Sequence, residues 1–301
     1  MGIIKKTVII PVLTSAIFLT TGFLGFSGVL KQTTNNSKYA DWMTSLNDNL
    51  SLREVNMPGS HDAMALYSIA NLAGQCQSLS LKNQLNLGAR FLDIRLEESN
   101  GELKAMHGFV DQRATFKSIA NTIETFLKNH QKEFILLSIK NEASEAYDPK
   151  FEQALKKYLV GDSYYLNDSL PEKVGDVRGK AILLSRYAEP TIGINCFNGW
   201  KNSQTFTLPN DFFIQDTYKI TSKEQKQEEI VRCFNETGHA LKINFLSAYR
   251  TDQFPPSYSI SAAKDINPWI NQEIEKYHDR GVVLYDFITE ENMDIFFKGL
   301  L

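Results

Sequence analysis

Short apolar runs alternate with amphipathic segments from about residue 50 to the end of the chain. Six runs are rich in Ile, Leu, Val and Phe, and they span residues 90–96, 134–140, 181–187, 212–216, 241–246 and 282–287. Runs of this length and composition are typical of strands that are covered on both faces. A seventh strand is expected just before Pro58-Gly59, in the run LREVNM (52–57).

Helical spacing of apolar residues separates these strands. It appears in four segments, residues 115–132, 150–159, 223–238 and 267–281. Gly238 and Gly281 are expected to end the last two helices, and Pro268 to stand in the first turn of the fourth. The pair Asn100-Gly101 indicates a hairpin after the second strand. This alternation predicts one α/β domain, an irregular TIM (β/α) barrel of about seven strands rather than an open sheet.

The N-terminal segment follows a different pattern. Lys5 and Lys6 precede an apolar stretch at residues 8–30. A positive flank before an apolar run is typical of a secretory signal, and this run is also long enough to span a bilayer as an uncleaved anchor. The sequence therefore predicts a signal peptide or membrane anchor at 1–31, a polar tether at 32–40 and the barrel at 41–301. We expect a secreted or surface-anchored protein.

Composition and charge exclude several classes of protein. The chain has 301 residues, 43% of them hydrophobic and 22% charged, as in an ordinary globular protein with a sizeable core. The net charge of −3 offers no basic field for a nucleic-acid partner. Cys76, Cys196 and Cys233 form no CxxC pair, which argues against a disulfide framework or a structural zinc site.

Charged or titratable residues stand at the end of nearly every predicted strand. They are Asp93 and Arg95, Lys140, Arg186, Asp216 and Asp286, joined by His61-Asp62 after the Pro-Gly pair and by His107 after the hairpin. Because the carboxyl ends of barrel strands meet at one face, we expect these side chains to line one pocket. His130, His239 and His278 stand at polar helix ends and are expected at the surface.

This set of side chains has a chemistry of its own. Two histidines serve as general base and general acid, and neighbouring carboxylates fix their tautomers. Arginine and lysine donate charge-assisted hydrogen bonds that suit a phosphate or a polyol beside it. The set describes in-line cleavage of a phosphodiester by an internal hydroxyl, without a metal where Arg95 stabilises the phosphoryl charge. Each histidine alone could equally be a loop residue, and Asp93–Arg95 a structural pair.

Seven stretches, taken in order, resemble the bacterial phosphatidylinositol-specific phospholipases C of the small single-domain type. They are PGSHDA, FLDIRLE, MHGF, LLSIKNE, RGKAILLSRY, FIQDTYKIT and VLYDFI, and the resemblance covers roughly residues 40–300. The resemblance implies a distorted TIM barrel. It also implies an attack of the inositol 2-hydroxyl on phosphorus that gives inositol 1,2-cyclic phosphate and diacylglycerol. Glycosylphosphatidylinositol anchors are a further possible substrate.

The resemblance also implies a role for each matching residue. His61 would be the general base, oriented by Asp286, and His107 the general acid, assisted by Asp62. Arg95, backed by Asp93, would neutralise the phosphoryl oxygens in place of the calcium ion that other relatives use, so no cofactor is expected. The inositol hydroxyls would be held by Lys140, Arg186, Asp216 and Tyr218.

The expected partner is a membrane surface that contains phosphatidylinositol, and the enzyme is expected to act as a monomer without nucleic acid. Phe254, Leu66 and Tyr67 are candidates for contact with that surface, although each would also suit packing against the barrel.

Two alternative functions remain open. One is a metal-dependent glycerophosphodiesterase, which would need a cluster of carboxylates, and the other is a non-catalytic lipid-binding or adhesion module.

Overall fold

The computed structural model describes residues 37–68, 74–209, 211–252 and 259–301. The strands in these ranges are β1 (Met57–Ser60), β2 (Phe91–Ser99), β3 (Glu102–His107), β4 (Val110–Thr115), β5 (Ile135–Asn141), β6 (Tyr164–Tyr165), β7 (Ala181–Arg186), β8 (Ile194–Asn195), β9 (Thr205–Leu208), β10 (Phe212–Gln215), β11 (Lys219–Ile220), β12 (Leu241–Phe245), β13 (Tyr249–Arg250) and β14 (Val282–Tyr285). The α-helices are α1 (Leu81–Asn86), α2 (Phe116–Asn129), α3 (Pro149–Lys156), α4 (Lys223–Phe234), α5 (Ser259–Glu273) and α6 (Glu290–Phe297).

The main sheet is curled into a half-barrel. Its strand order is β6-β7-β5-β2-β1-β14-β12-β10-β9, and every neighbouring pair is parallel except β10 with β9. The predicted α/β class is confirmed, and within the described ranges the sheet is a half-barrel with edges at β6 and β9. Because all the central strands run in one direction, their carboxyl ends lie along one rim.

The ends of the predicted buried strands agree with the structure to within three residues. β5 and β7 are the clearest cases, since nearly every one of their side chains is buried. The Asn100-Gly101 hairpin is also confirmed, because Ser99 pairs with Glu102 and both turn residues have positive φ. This hairpin carries His107 to the end of β3.

The first strand differs from the prediction. Residues Leu52–Glu54 form a 3₁₀ helix, and Pro58 and Gly59 lie inside β1 rather than in a turn after it. Strand β2 begins opposite Gly59, at Phe91, so the missing N–H of Pro58 breaks no hydrogen bond between the two strands. A side chain at position 59 would meet the Phe91 Cβ at 2.7 Å, and glycine is therefore required there. His61 follows the strand, as expected.

Two helix ends also differ from the prediction. α4 ends at Phe234 with Asn235 as its C-cap, so Gly238 lies beyond the helix. α5 extends back to Ser259 and holds Pro268 in its interior. The carbonyl that loses its helical partner to this proline belongs to Lys264, and both residues are exposed, so water is able to hydrogen-bond that carbonyl. A 3₁₀ turn, Ile274–Lys276, separates α5 from Gly281.

Helices and sheet share two apolar clusters. One lies between the sheet and the helices α4, α5 and α6, and it begins as early as Tyr39, which packs against Phe297. The other lies between the sheet and the helices α1, α2 and α3. The predicted signal or anchor segment at 1–31 lies outside the described residues. Among the described helices, none has the length and hydropathy needed to cross a membrane.

Candidate active site

A pocket of about 380 Å³ opens at the carboxyl rim of the sheet. Seven of the predicted site residues line it, namely His61, Arg95, His107, Lys140, Arg186, Asp216 and Tyr218. The other three, Asp62, Asp93 and Asp286, are buried directly behind this lining. The structure therefore brings together every catalytic and substrate-binding residue that the sequence analysis singled out.

His61 has a partner on each ring nitrogen. Its Nδ1 lies 2.7 Å from Asp286 Oδ1, and its Nε2 lies 2.7 Å from an Arg95 amino group. Because an ionised carboxylate only accepts and a guanidinium only donates, Nδ1 carries the proton and Nε2 presents its lone pair. Burial of the ring opposes protonation, but the charge and the hydrogen bond of Asp286, together with the charge of Asp93, outweigh it and raise the pKa of His61. This arrangement suits a general base.

Asp62 and His107 form the second pair. Asp62 follows β1 in the left-handed conformation, with a φ of 39°, and its backbone N–H donates to Asp93 Oδ2. Its side chain has no exposure, and neither carboxylate oxygen has a hydrogen-bond partner. Oδ2 lies 3.8 Å from His107 Nε2. Burial raises the pKa of Asp62, and nearby Arg95 opposes that rise.

Arg95 connects the two histidine pairs. Its guanidinium lies 3.3 Å from Asp62, 3.3 Å from Asp93 and 3.7 Å from Glu142. Although burial opposes ionisation of the Asp93 and Glu142 carboxyls, the guanidinium lowers the pKa of both, that of Glu142 to about 2. The centre of the pocket is thus a cation held in place by buried carboxylates.

The far side of the pocket carries the expected hydroxyl-binding residues. Arg186 donates to Asp93 Oδ1 at 3.0 Å, and its guanidinium stacks on the Trp200 ring at 3.6 Å. The Trp200 indole N–H donates to Asp216 Oδ2 at 3.0 Å. Burial raises the pKa of Asp216, against the effect of Arg186. Tyr218, half-buried, faces the same space.

Lys140 lies on the same wall as Arg95. Its ammonium pairs with Glu142 Oε2 at 2.7 Å, so one carboxylate joins the two cations. Glu142 also accepts the backbone N–H of Gly108, next to His107. The glutamate thereby connects the end of β5 to the hairpin that carries the second histidine.

Sequence reasoning missed two residues of this site, Glu142 and Trp200, and a thiol beside it, Cys76. Glu142 stands two positions after Lys140, and that spacing could have placed it on the same wall. Trp200 comes from a loop without periodicity, and Cys76 from a segment between β1 and α1 with no motif. The Cys76 sulfur lies 3.9 Å from His107 Nδ1. No pattern in the sequence indicates either position.

The predicted membrane-contact residues fare differently from the catalytic ones. Leu66 and Tyr67 are half-buried; the backbone N–H of Tyr67 donates to Gln112, and its ring lies under the Arg113 guanidinium. Both therefore contact the protein at least in part, and Phe254 lies outside the described residues. Of the histidines expected at the surface, His239 and His278 are exposed, whereas His130 is half-buried and stacks on Phe126.

Comparison with known sequences gives a consistent family signal. Residues 55–187 match the X domain of phosphatidylinositol-specific phospholipase C. A 1-phosphatidylinositol phosphodiesterase of Listeria monocytogenes is 28% identical over 284 residues, which cover 88% of this chain and 86% of the relative. An enzyme of the same name from Staphylococcus aureus strain Newman is 25% identical and is covered to 83% of its length.

Solved structures agree at the level of the fold. The phosphatidylinositol-specific phospholipase C of Listeria monocytogenes superimposes with a TM-score of 0.71 at 23% identity, over 86% of this chain and 98% of that one. A structure of the Staphylococcus aureus enzyme gives a TM-score of 0.71 at 22% identity, with the same coverage. At this identity the likeness establishes a shared architecture, whereas the chemistry has to be argued from the pocket.

Proposed function

Because the chain belongs to the bacterial phosphatidylinositol-specific phospholipase C family, we propose that it cleaves phosphatidylinositol into diacylglycerol and inositol 1,2-cyclic phosphate. The observation that carries this proposal is the arrangement of two histidine–aspartate pairs around one arginine, Arg95, which is half-buried at the pocket. It supplies a base, an acid and a fixed cation within one pocket. These three are what an internal phosphoryl transfer needs.

The base side of the reaction follows from the tautomer of His61. Its Nε2 lone pair accepts the proton of the inositol 2-hydroxyl while Nδ1 remains hydrogen-bonded to Asp286. The 2-oxygen then forms a bond to phosphorus. Asp286 stabilises the imidazolium that results, because its carboxylate lies 2.7 Å from Nδ1. In the free protein Arg95 occupies the hydrogen-bonding position at Nε2 that the hydroxyl takes.

The acid side completes the displacement. As the bond between phosphorus and the glycerol oxygen breaks, His107 donates its proton to that oxygen and diacylglycerol leaves. Asp62 Oδ2 lies 3.8 Å from His107 Nε2, close enough to orient the ring for this step. In a slower second step, water opens the cyclic phosphate and the two histidines exchange roles, so that each returns to its starting protonation state.

Arg95 neutralises the charge that builds on the phosphoryl oxygens. Its guanidinium is oriented by Asp62, Asp93 and Glu142 before substrate binds, so little reorganisation is required during the reaction. We propose that this arginine makes a metal unnecessary. The alternative of a metal-dependent glycerophosphodiesterase is less consistent with this site, since its central carboxylates already pair with arginine and lysine.

The inositol ring binds between the far wall and Tyr218. Lys140 and Arg186 donate to ring hydroxyls, and the Asp216 carboxylate accepts from one of them. The Tyr218 ring packs against the apolar face of the inositol. Trp200 keeps Arg186 and Asp216 at a fixed separation, because it contacts both.

We further propose two features of the whole chain. The curled sheet corresponds to the distorted TIM barrel that the family resemblance implies, and residues 8–30 act as an export signal or anchor. Lys5, Lys6 and the apolar run support the second proposal. Mass spectrometry of protein from the culture medium and from the membrane fraction of an expressing bacterium tests it. Full-length protein confined to the cytoplasm would contradict it.

Phosphorus NMR of the full chain with phosphatidylinositol vesicles tests the catalytic proposal. We expect a cyclic phosphate signal in the presence of a chelator, and no signal with the folded variants His61→Leu and His107→Leu. Turnover only after calcium is added would overturn the role of Arg95. A wild-type protein that binds the vesicles without turnover would instead be a lipid-binding module.

A further inference from the structure

Cys76 is a buried thiol next to the active site that the reaction does not use. Its side chain has no exposure, and its sulfur lies 3.9 Å from His107 Nδ1 and 3.6 Å from the Ser259 hydroxyl. Backbone hydrogen bonds to Ala65 and from Phe287 fix the residue between the loops that follow β1 and β14. The thiol is therefore held rigidly behind the general acid.

A second observation at the same place concerns Asp62. Its two carboxylate oxygens are buried and accept no hydrogen bond, which is costly unless another group is able to use them. The nearest cation is Arg95, whose Nε lies 3.3 Å from Oδ2 without a hydrogen-bond geometry. A carboxylate with free lone pairs thus faces the same histidine as the thiol does.

One ligand atom from each of Asp62, Cys76 and His107 lies within 4.8 Å of the other two. Tetrahedral zinc, with bonds of 2.0–2.3 Å, separates its ligand atoms by about 3.3–3.6 Å. The 3.9 Å between sulfur and Nδ1 is close to that spacing. Asp62 Oδ2 lies 3.8 Å from the other ring nitrogen, Nε2, so the ring or the carboxylate has to turn for one ion to meet all three side chains. The side chain of His107 is 23% exposed to the pocket, which leaves an entry path and room for a water ligand.

We propose that Asp62, Cys76 and His107 form an inhibitory binding site for a thiophilic divalent transition-metal ion such as Zn²⁺. On binding, the S–H bond of Cys76 breaks, a metal–sulfur bond forms and the proton goes to solvent. Loss of the thiol proton offsets one of the two positive charges of the ion, and the Asp62 carboxylate, which is already ionised, faces the charge that remains. The thiolate ligand selects against Mg²⁺ and Ca²⁺, which prefer oxygen.

The other candidate group shares Cys76 and consists of His61, Cys76 and Asp286. It is the weaker site, because His61 Nδ1 and Asp286 Oδ1 already satisfy each other at 2.7 Å. A metal on His107, in contrast, takes the place of one of the two imidazolium protons, so the ring can no longer act as the protonated general acid. Inhibition therefore rests on the proposed function, whereas binding of the metal does not.

The test measures hydrolysis of soluble inositol 1,2-cyclic phosphate by the full chain in titrations with Zn²⁺, Mg²⁺ and Ca²⁺. We expect Zn²⁺ alone to inhibit, with recovery on addition of a chelator. Cys76→Ser should retain its metal-free activity and need at least roughly tenfold more Zn²⁺ for the same inhibition, a weakening of about 1.4 kcal/mol. The double variant Cys196→Ser/Cys233→Ser is the matched control, since both thiols are buried outside any such group.

Direct binding is read from Co²⁺, because a cobalt–thiolate bond gives a charge-transfer absorption that does not depend on turnover. The band should appear in the wild type and in the control variant and be absent in Cys76→Ser and Cys76→Ala. Equal zinc inhibition of wild type and Cys76→Ser, or a cobalt band that survives the substitution, would overturn the proposal. A band without any enzymatic turnover would leave the metal site intact and refute the proposed function instead.

Discussion

At the scale of single residues, the strongest consequence of the structure concerns the pH dependence set by Asp286. Its carboxylate raises the pKa of His61, so the base becomes protonated and inactive as the pH falls through a value above the ordinary one. Asp286→Asn should lower that pKa and move the acid limb of kcat/KM to lower pH. It should also reduce the maximum by roughly 10²-fold, because the imidazolium loses its stabilising charge.

The measurement is a pH profile of kcat/KM with a soluble substrate, which reports on groups of the free enzyme. Asp294→Asn is a suitable control, since this aspartate pairs with Lys38 and Tyr39 away from the pocket. An acid limb that stays in place in Asp286→Asn would mean that another group governs it.

The placement of the candidate site residues around one pocket was largely predictable residue by residue, and the reason is local. Charged residues interrupt or end the apolar runs, namely Asp93, Arg95, Lys140 and Arg186. Because a buried strand has apolar neighbours on both faces, a charge at its end is expected at the rim of the sheet. Trp200 was not predictable in this way, because its position depends on contacts with Arg186 and Asp216 that only the folded chain creates. The proximity of Cys76 to His107 has the same origin.

At the scale of elements, strand β1 is the most constrained part of the site. Gly59 faces Phe91 so closely that a Cβ added at position 59 would lie 2.7 Å from the Phe91 Cβ and 2.8 Å from the Phe91 carbonyl oxygen. Gly59→Ala should destabilise the protein by about 1–3 kcal/mol and shift β1 against β2. Because His61 directly follows β1, activity should fall even at temperatures where the variant is folded.

Thermal unfolding and kcat/KM of the same preparation test this prediction. Gly238→Ala serves as the control, because its nearest neighbour in the space of a Cβ is a flexible Glu236 side chain at 3.3 Å. Equal stability of Gly59→Ala and wild type would show that the two strands separate more easily than the packing indicates.

Helix α4 contributes a buried lysine, Lys226, directly behind the part of the pocket wall that Asp216 forms. Lys226 has no exposure and donates to Gln215 Oε1 and to the Thr217 carbonyl, on either side of Asp216. Burial lowers its pKa from 10.5 to about 7. Between these values the unfolded chain binds more protons than the native one, so this residue makes the free energy of unfolding rise with pH.

Urea unfolding of wild type and Lys226→Met at several pH values between about 7 and 10.5 measures the effect. The difference in unfolding free energy between the two proteins should grow in favour of the wild type as the pH rises, by up to about 1.4 kcal/mol per pH unit. A difference that is constant across this range would mean that Lys226 stays protonated in the fold.

Elements differ in how far sequence alone predicts them. β5 and β7 were predictable because their uninterrupted apolar residues are typical of a parallel sheet covered on both faces. β1 was not, since Met57–Ser60 contains a proline and a glycine and is a strand only because β14 and β2 flank it. The start of α5 was wrong for a related reason, because solvent exposure allows Pro268 inside the helix.

At the scale of the whole molecule, several exposed apolar side chains stand close in sequence to residues that line the pocket. Five large apolar residues are strongly exposed among the described residues, namely Phe109, Tyr147, Val160, Ile260 and Leu301. Phe109, Tyr147 and Ile260 each stand one or two positions after a residue that lines the pocket. Such side chains are suited to docking on a bilayer, so that the headgroup enters the pocket while the acyl chains remain in the membrane.

Phe109 is the most informative of these residues, since 82% of it is exposed and it lies two positions after His107. Phe109→Ala should weaken binding to phosphatidylinositol vesicles roughly tenfold, about 1.4 kcal/mol, because insertion of the ring would bury its apolar surface. Hydrolysis of the soluble cyclic phosphate should stay unchanged. Val160→Ala is the matched control: this residue is 61% exposed but precedes β6, at the amino ends of the strands.

Vesicle sedimentation combined with the soluble assay separates these effects. If Phe109→Ala and Val160→Ala bind vesicles equally well, the turn between β3 and β4 that contains Phe109 does not touch the membrane, and docking depends on another surface. If Phe109→Ala also loses activity on the soluble substrate, the residue acts through His107 rather than through the bilayer. If Phe109→Ala binds vesicles more weakly but keeps its activity on the soluble substrate, the segment that follows β3 has two roles. It positions His107, and it brings the pocket to the lipid surface.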